Sequence, residues 1–174
     1  VRFLRTFHDR HQRLRPGRGV RDRRRHGDPR LPAAGPGHRN RGEQRTVDLS
    51  EADWYGGIAA RGWSEMPEVL PFITGFARSS VECATCFVAE RDGQAIATSA
   101  LFMQGAVALL AGASTVPEGR RNGAQLALLD TRLRTAASQG CNLAMMVAAP
   151  GSASQRNAER NGFRVAYTRT KWQL

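Results

Sequence analysis

The densest chemistry in the chain lies in Val116-Pro117-Glu118-Gly119-Arg120-Arg121-Asn122-Gly123-Ala124-Gln125. An apolar run precedes Pro117 and a helical stripe follows Gly123, so the segment reads as a strand-to-helix turn. Such a turn aims unbonded amides and the positive end of the helix macrodipole at solvent, which makes it an anion site. Gly123 lets a phosphate come close to the backbone, and Arg120 and Arg121 offer charge-assisted hydrogen bonds. Taken alone, an Arg-Arg-x-Gly segment is more often a solvated helix start than a ligand site, so its context has to decide. Proton-transfer groups are sparser. Ser154 and Tyr167 are the hydroxyls toward the C-terminal end, and each reads more readily as a cap-turn serine and a packed strand tyrosine. Glu118, Glu65 and Glu82 are the carboxylates that could act as a base, directly or through water. Cys83 and Cys86 suggest zinc, but a structural site needs four ligands, and residues 46–174 hold no histidine and only Cys141 besides this pair. No metal is expected, and cysteines entering a strand are ordinarily small buried hydrophobes.

The elements that must position these residues follow from periodicity. Ser50 with Asp53 and Gly62 in the C′ place bracket a helix over 51–61. Pro67 as a first helical residue, with Leu70, Ile73, Phe76 and Ala77 at helical spacing, predicts a second over 67–78. Residues 84–90 and 94–103 flank Asp92-Gly93, a hairpin signal, and Gln104-Gly105 turns into a third strand over 106–116. A helix over 122–138 places Leu126, Leu129, Leu133, Ala136 and Ala137 on one stripe, with Asp130, Arg132 and Arg134 off it. The apolar run 142–149 reads as a strand buried on both faces. Ser152 with Gln155 opens a helix over 153–161 that Gly162 ends, and 163–172 is strand-like. The order is α-α-β-β-β-α-β-α-β, an α/β (α+β) domain with a mostly antiparallel sheet.

The charge of this 174-residue chain is unevenly spread. Residues 1–45 hold 14 arginines, four acids and all four histidines, a net of +10, whereas residues 46–174 net only +1. The first segment has few apolar residues after Phe7, too few to offset the entropy of ordering it, and is expected to be a disordered tail. Three readings of it stand open: a phosphate-binding arm centred on Arg21-Asp22-Arg23-Arg24-Arg25, a solvated appendage, and sequence read out of frame from a GC-rich gene, as 25 arginines to one lysine suggests. No apolar run approaches the ~20 residues of a membrane span, and the first residues lack the apolar core of a secretory signal. Three cysteines make no disulfide framework, so a cytoplasmic setting is expected.

The segment Arg120 to Gln125 resembles the phosphate-binding motif A of the GNAT superfamily of acyl-CoA N-acyltransferases, Arg/Gln-x-x-Gly-x-Gly/Ala after Val-x-Pro-x-x-Arg. Arg120, Gly123 and Pro117 fall where that motif has them, and Gln125 replaces its last small residue. Ser154-Gln155-Arg156-Asn157-Ala158-Glu159-Arg160-Asn161-Gly162-Phe163 is similar to the family's motif B, Asn-x-x-x-x-Gly-Phe. The resemblance covers residues 46–174 and implies a twisted sheet splayed between its fourth and fifth strands. Its first strand could come only from Arg45-Thr46-Val47-Asp48-Leu49.

What the resemblance implies is transfer of an acetyl group from acetyl-CoA to an amine by direct attack on the thioester. The pyrophosphate would rest on Arg120, Arg121, Asn122, Gly123, Ala124 and Gln125, and the pantetheine arm between strands 106–116 and 142–149. A backbone N–H near Ser114, Thr115 or Val116 would polarise the thioester carbonyl, and Asn157 would orient the cofactor arm. Trp63, Ser64 and Glu65 would wall the acceptor site. The tyrosine acid common in the family is absent, Ala158 standing in its place, which leaves Ser154 and Tyr167 as the candidate catalytic hydroxyls. The partners expected are acetyl-CoA and an amine acceptor, with no membrane and no nucleic acid; a homodimer is left open. The rival reading is a GNAT-fold acyl-CoA-binding protein without turnover, or a fragment of a longer chain. Nucleic-acid binding rests only on the tail.

Overall fold

The structure, a computed structural model, describes residues 2–6 and 43–170. Its strands are β1 (Arg2–Thr6), β2 (Glu43–Thr46), β3 (Thr85–Arg91), β4 (Gln94–Gln104), β5 (Val107–Thr115), β6 (Leu143–Val147) and β7 (Arg164–Tyr167), and its helices α1 (Ala52–Arg61), α2 (Leu70–Cys83), α3 (Ala124–Ser138) and α4 (Ala153–Arg160). They form one mixed sheet in the order β2-β3-β4-β5-β6-β1-β7, antiparallel throughout except for the β5–β6 pair.

The hairpin elements lie where the period of two puts them. Asp92 and Gly93 both take positive φ, the geometry of a type I′ turn that matches the twist of β3 and β4. Along β3, Phe87 and Ala89 join a core cluster with Leu128, Leu129 and Leu133 of α3, while Cys86 and Val88 join another with Tyr55, Ala59 and Ala77 of α1 and α2. Successive side chains therefore serve opposite faces, and helices cover both.

Several boundaries differ from the sequence expectation. Cap bonding at the first helix falls two residues early: the Glu51 carboxylate accepts the Asp48 amide at 3.0 Å, and a 3₁₀ turn over Leu49–Glu51 leads into α1. That turn also shifts the first strand of the expected domain back to Glu43–Thr46. Helix α2 runs to Cys83, five residues past 78, because Ala77 and Ser80 are both buried and the Ser80 hydroxyl bonds its own helix at Phe76 O, 2.7 Å away. Arg132, expected off the apolar stripe of α3, is only 4 % exposed, and Leu126, expected on it, is 37 % exposed.

The largest departure concerns the N-terminal segment. Arg2–Thr6, assigned from composition to a disordered tail, forms β1, antiparallel to β6 on one side and β7 on the other. Phe3 is completely buried in the main core. Two sheet edges with unpaired backbone groups and one apolar slot between them order a five-residue strand that the surrounding arginines conceal. The rest of that tail, including Arg21 to Arg25, lies outside the described residues. Among the described residues no helix is long and apolar enough to cross a membrane.

Candidate functional site

After β5 the chain makes a 3₁₀ turn over Pro117–Gly119 and then the exposed turn Arg120 to Gly123. Val116 anchors it: the side chain is buried, the N–H donates to Ile96 O at 3.0 Å, and the carbonyl accepts from Gly119 N–H at 2.9 Å. With both backbone groups occupied, Val116 positions the turn and leaves any ligand contact to its neighbours. Gly123, the N-cap of α3, has φ +76°, a conformation that only glycine adopts without strain. Arg121 at φ +64° has no such licence and stores about 1 kcal/mol. Ala124 is buried and seats the helix. Gln125, which stands where motif A has a small residue, reaches back to β5: its Nε2 donates to Ser114 O at 2.7 Å and to Thr115 Oγ1 at 2.9 Å. Asn122 accepts from Arg91 at 2.8 Å through Oδ1. The helix start is thus fastened at its flanks and open in its middle.

The strand beneath this turn is irregular in two ways. Parallel pairing of β5 with β6 runs from Val107↔Leu143 to Leu110↔Met146 and stops, so Ala111–Thr115 diverge from β6 and leave a cleft. Against β4 the register is broken, since Ala100 pairs Ala111 while Thr98 pairs Ser114; Gly112 and Ala113 together oppose Ser99 as a bulge. Arg132 stands behind that bulge. Its Nη1 donates to Ala100 O at 3.4 Å and Ala111 O at 3.3 Å, and its Nε to Leu128 O at 3.2 Å. Burial brings the guanidinium down to about 10. The cation thus donates to the carbonyls of the last regular pair before the bulge.

The C-terminal end of α1 closes over the same stretch of β5. The Ser114 hydroxyl donates to Ala59 O at 2.7 Å. Gly62, expected in the C′ place of the first helix, is its C-cap with φ −67°; a β-carbon there would lie 2.0 Å from Ser114 Oγ and 2.9 Å from Thr115 N. Close approach of two backbones, not dihedral freedom, requires the glycine. Beside this contact lies a cavity of about 420 Å³, with Gly62, Trp63, Glu65 and Met66 on one side and Ala113, Ser114, Thr115 and Arg120 on the other. Two ion pairs cross from the end of α1 and the α1–α2 loop to the turn before α3: Arg61 with Glu118, and Glu65 with Arg120 at 2.6 Å, where Arg120 also donates to Gly62 O at 3.3 Å. Ser64 is exposed in the same loop, whereas Trp54 lies outside with the Arg45 guanidinium 5.1 Å above its ring.

Sequence-predicted residues thus meet here in part. Ser114, Thr115, Arg120, Trp63 and Glu65 share one cavity. Ser154 is exposed on α4, and Tyr167 ends the edge strand β7 with the Arg2 guanidinium 5.1 Å over its ring; neither lines the cavity. Asn157 lies half-buried on α4, where its Oδ1 accepts from Asn161 at 3.2 Å. Cys86 is buried, which pushes its thiol up, while Cys83 is exposed and donates to Ser79 O at 3.3 Å. Among the described residues no group of three or more His, Cys, Asp or Glu side chains could hold a metal. The roles of Arg132, Gln125 and Gly62 were not legible in the chain. The one signal available for Arg132 was its place between Leu129 and Leu133 on α3, since Arg134 on the same helix pairs with Asp130 at the surface.

Comparison with known proteins agrees with this geometry. A family model described as the acetyltransferase (GNAT) family matches residues 47–163. No curated protein matches the sequence. Among solved structures, a predicted acetyltransferase with acetyl-CoA from Clostridium acetobutylicum superposes with TM-score 0.61 at 17% identity, covering 76% of this chain and 96% of that one. PaiA N-acetyltransferase from Thermoplasma acidophilum, in complex with coenzyme A, gives 0.63 at 16% identity, covering 73% and 92%. AAC(6')-Iy in complex with the bisubstrate analog CoA-S-monomethyl-acetylneamine gives 0.59 at 17% identity, covering 76% and 97%.

Proposed function

The chain belongs to the GNAT family of acetyltransferases, enzymes that use acetyl-CoA, and we propose that it acetylates a primary amine by direct attack on the bound thioester. The observation that carries this reading is the exposed turn Arg120 to Gly123 at the N-terminus of α3, beside the point where β5 leaves β6. The residues present fit the cofactor: a left-handed glycine caps the helix, two arginines flank it, and the cleft opens alongside.

Acetyl-CoA supplies an activated acyl group. The chain's part is to hold its diphosphate on Arg120, Arg121, Asn122 and Gly123, and to offer the backbone of Ser114 and Thr115 to the thioester oxygen. An unprotonated amine forms the new C–N bond at the carbonyl carbon, the C–S bond breaks, and the proton lost from nitrogen ends on the released thiol. Trp63, Ser64 and Glu65 wall the acceptor side. With Ser154 and Tyr167 away from the cavity, rate enhancement rests on orientation of bound reactants. That same placement favours a second reading, an acyl-CoA-binding protein without turnover.

Thiol release from acetyl-CoA across a panel of primary amines, run beside thermal shift with acetyl-CoA, separates the two. Release with at least one amine supports the enzyme; a shift without release from any amine supports the binding protein. Arg120→Ala is expected to weaken acetyl-CoA about tenfold or more, as loss of a charge-assisted bond does. No shift in the wild type and none in the variant counts against both readings.

A further inference from the structure

The guanidinium that should meet the cofactor's diphosphate is already bound. Arg120 donates to the Glu65 carboxylate at 2.6 Å and to Gly62 O at 3.3 Å, so its donors point into the α1–α2 loop. Glu65 is in turn the carboxylate on the cavity wall, beside Trp63. The pair is open to solvent, with 40% of the arginine side chain and 70% of the glutamate exposed, and pairs of that kind stabilise little. A diphosphate brings more charge and more acceptors than one carboxylate and displaces it readily. The second crossing pair, Arg61 with Glu118, does not involve Arg120 or Glu65 and need not change when the first one opens.

Building on the acetyl-CoA reading, we propose that Arg120 is shared: acyl-CoA takes it from Glu65, and the released carboxylate becomes the recognition group for a cationic primary amine. A carboxylate in a cavity that a tryptophan also lines suits an alkylammonium, which an ion pair and an aromatic wall both favour. Before acyl-CoA arrives, Arg120 neutralises that carboxylate and blocks it. Acyl-CoA and amine therefore bind with positive coupling through one side chain, and the selected acceptors are amines protonated near neutral pH, which release one proton to solvent before the free nitrogen attacks the thioester.

Glu65→Gln separates the consequences. Isothermal titration with acetyl-CoA is expected to show binding about two- to fivefold tighter than wild type, because the competing partner has gone. In an Arg120→Ala background the same change should have no effect on acetyl-CoA. In the thiol-release assay, Glu65→Gln should raise KM for n-butylamine and 1,5-diaminopentane at least tenfold and leave aniline, neutral at pH 7, unchanged. Wild-type binding of acetyl-CoA with no tightening or a weakening in Glu65→Gln would overturn the exchange while the acetyl-CoA reading stands. An equal rise in KM for butylamine and aniline would overturn the amine class. Absence of acetyl-CoA binding by the wild type would remove the reading beneath both.

Discussion

The sheet has two halves that are built differently. From β2 to β5 it is an antiparallel meander in which β3, β4 and β5 follow one another through tight turns, so each strand brings its neighbour along. The half formed by β6, β1 and β7 takes strands from residues 143–147, 2–6 and 164–167, none joined to its neighbour by a hairpin. β1 and β2 make the contrast concrete. Both precede the first helix, yet β2 lies on the outer edge with no buried residue, and β1 is interior with Phe3 completely buried. The halves join along four parallel pairs, and the candidate site opens where those pairs end. An opening at that seam needs no cavity carved from a continuous core, because the strand pairing itself stops there.

The contrast can be broken most directly at Phe3. Phe3→Ala should destabilise the fold by about 3–5 kcal/mol in denaturant titration, with amide exchange rising in β6 and β7 before β3 and β4. A cost under about 1 kcal/mol would mean that β1 is dispensable and that the second half stands on β6 and β7 alone. Arg132→Met tests the first half at the break in register between β4 and β5. It leaves Ala100 O and Ala111 O without the guanidinium and should cost about 2 kcal/mol, with kcat falling more than acetyl-CoA affinity because the bulge relaxes. Equal melting temperatures for the variant and wild type would show that the bulge holds without its cation.

Smaller changes sharpen the picture at the seam and the outer edge. Arg121→Gly relieves a left-handed residue and should raise stability by about 1 kcal/mol while weakening acetyl-CoA through the lost charge. Unchanged affinity would confine diphosphate contact to Arg120 and the backbone. At the edge, Glu51 is held below its usual range, first by its bond from Arg45 and then by the Asp48 amide. A lowered folded-state pKa means that its contribution is present above the unfolded value of 4.5 and disappears as pH falls through the folded one. Thermal melts of wild type and Glu51→Gln should therefore differ at pH 6 and converge well below pH 4.5. A gap that persists at the acid end would reassign the effect to shape.

How far the fold could be read in the chain followed the same division. Helix α3, the Asp92-Gly93 hairpin and the α4 cap announce themselves within a few residues, since periodicity, turn type and capping are local. Ser152 does accept the Gln155 amide, at 3.1 Å; the returning half of the box goes to Gly151 N–H, one residue early, at 2.8 Å. Strand β1 was illegible because its partners lie over a hundred residues away and its arginine-rich surroundings dominate any composition window. Gly62 was correctly marked as an end, but the clash that demands it was illegible, since it involves Ser114 on another element.

For the site, the order of residues from Val116 to Gln125 was enough to specify an open helix start capped by a left-handed glycine, because amides, dipole and glycine act within one turn. Which groups face one another there was a tertiary matter. The pairing of Glu65 with Arg120, the Gln125 bonds to Ser114 and Thr115, and the burial of Arg132 behind the bulge each join positions ten to 55 residues apart. Local sequence specifies what a backbone segment can do by itself; which side chains occupy it depends on the packing of elements that no short window contains.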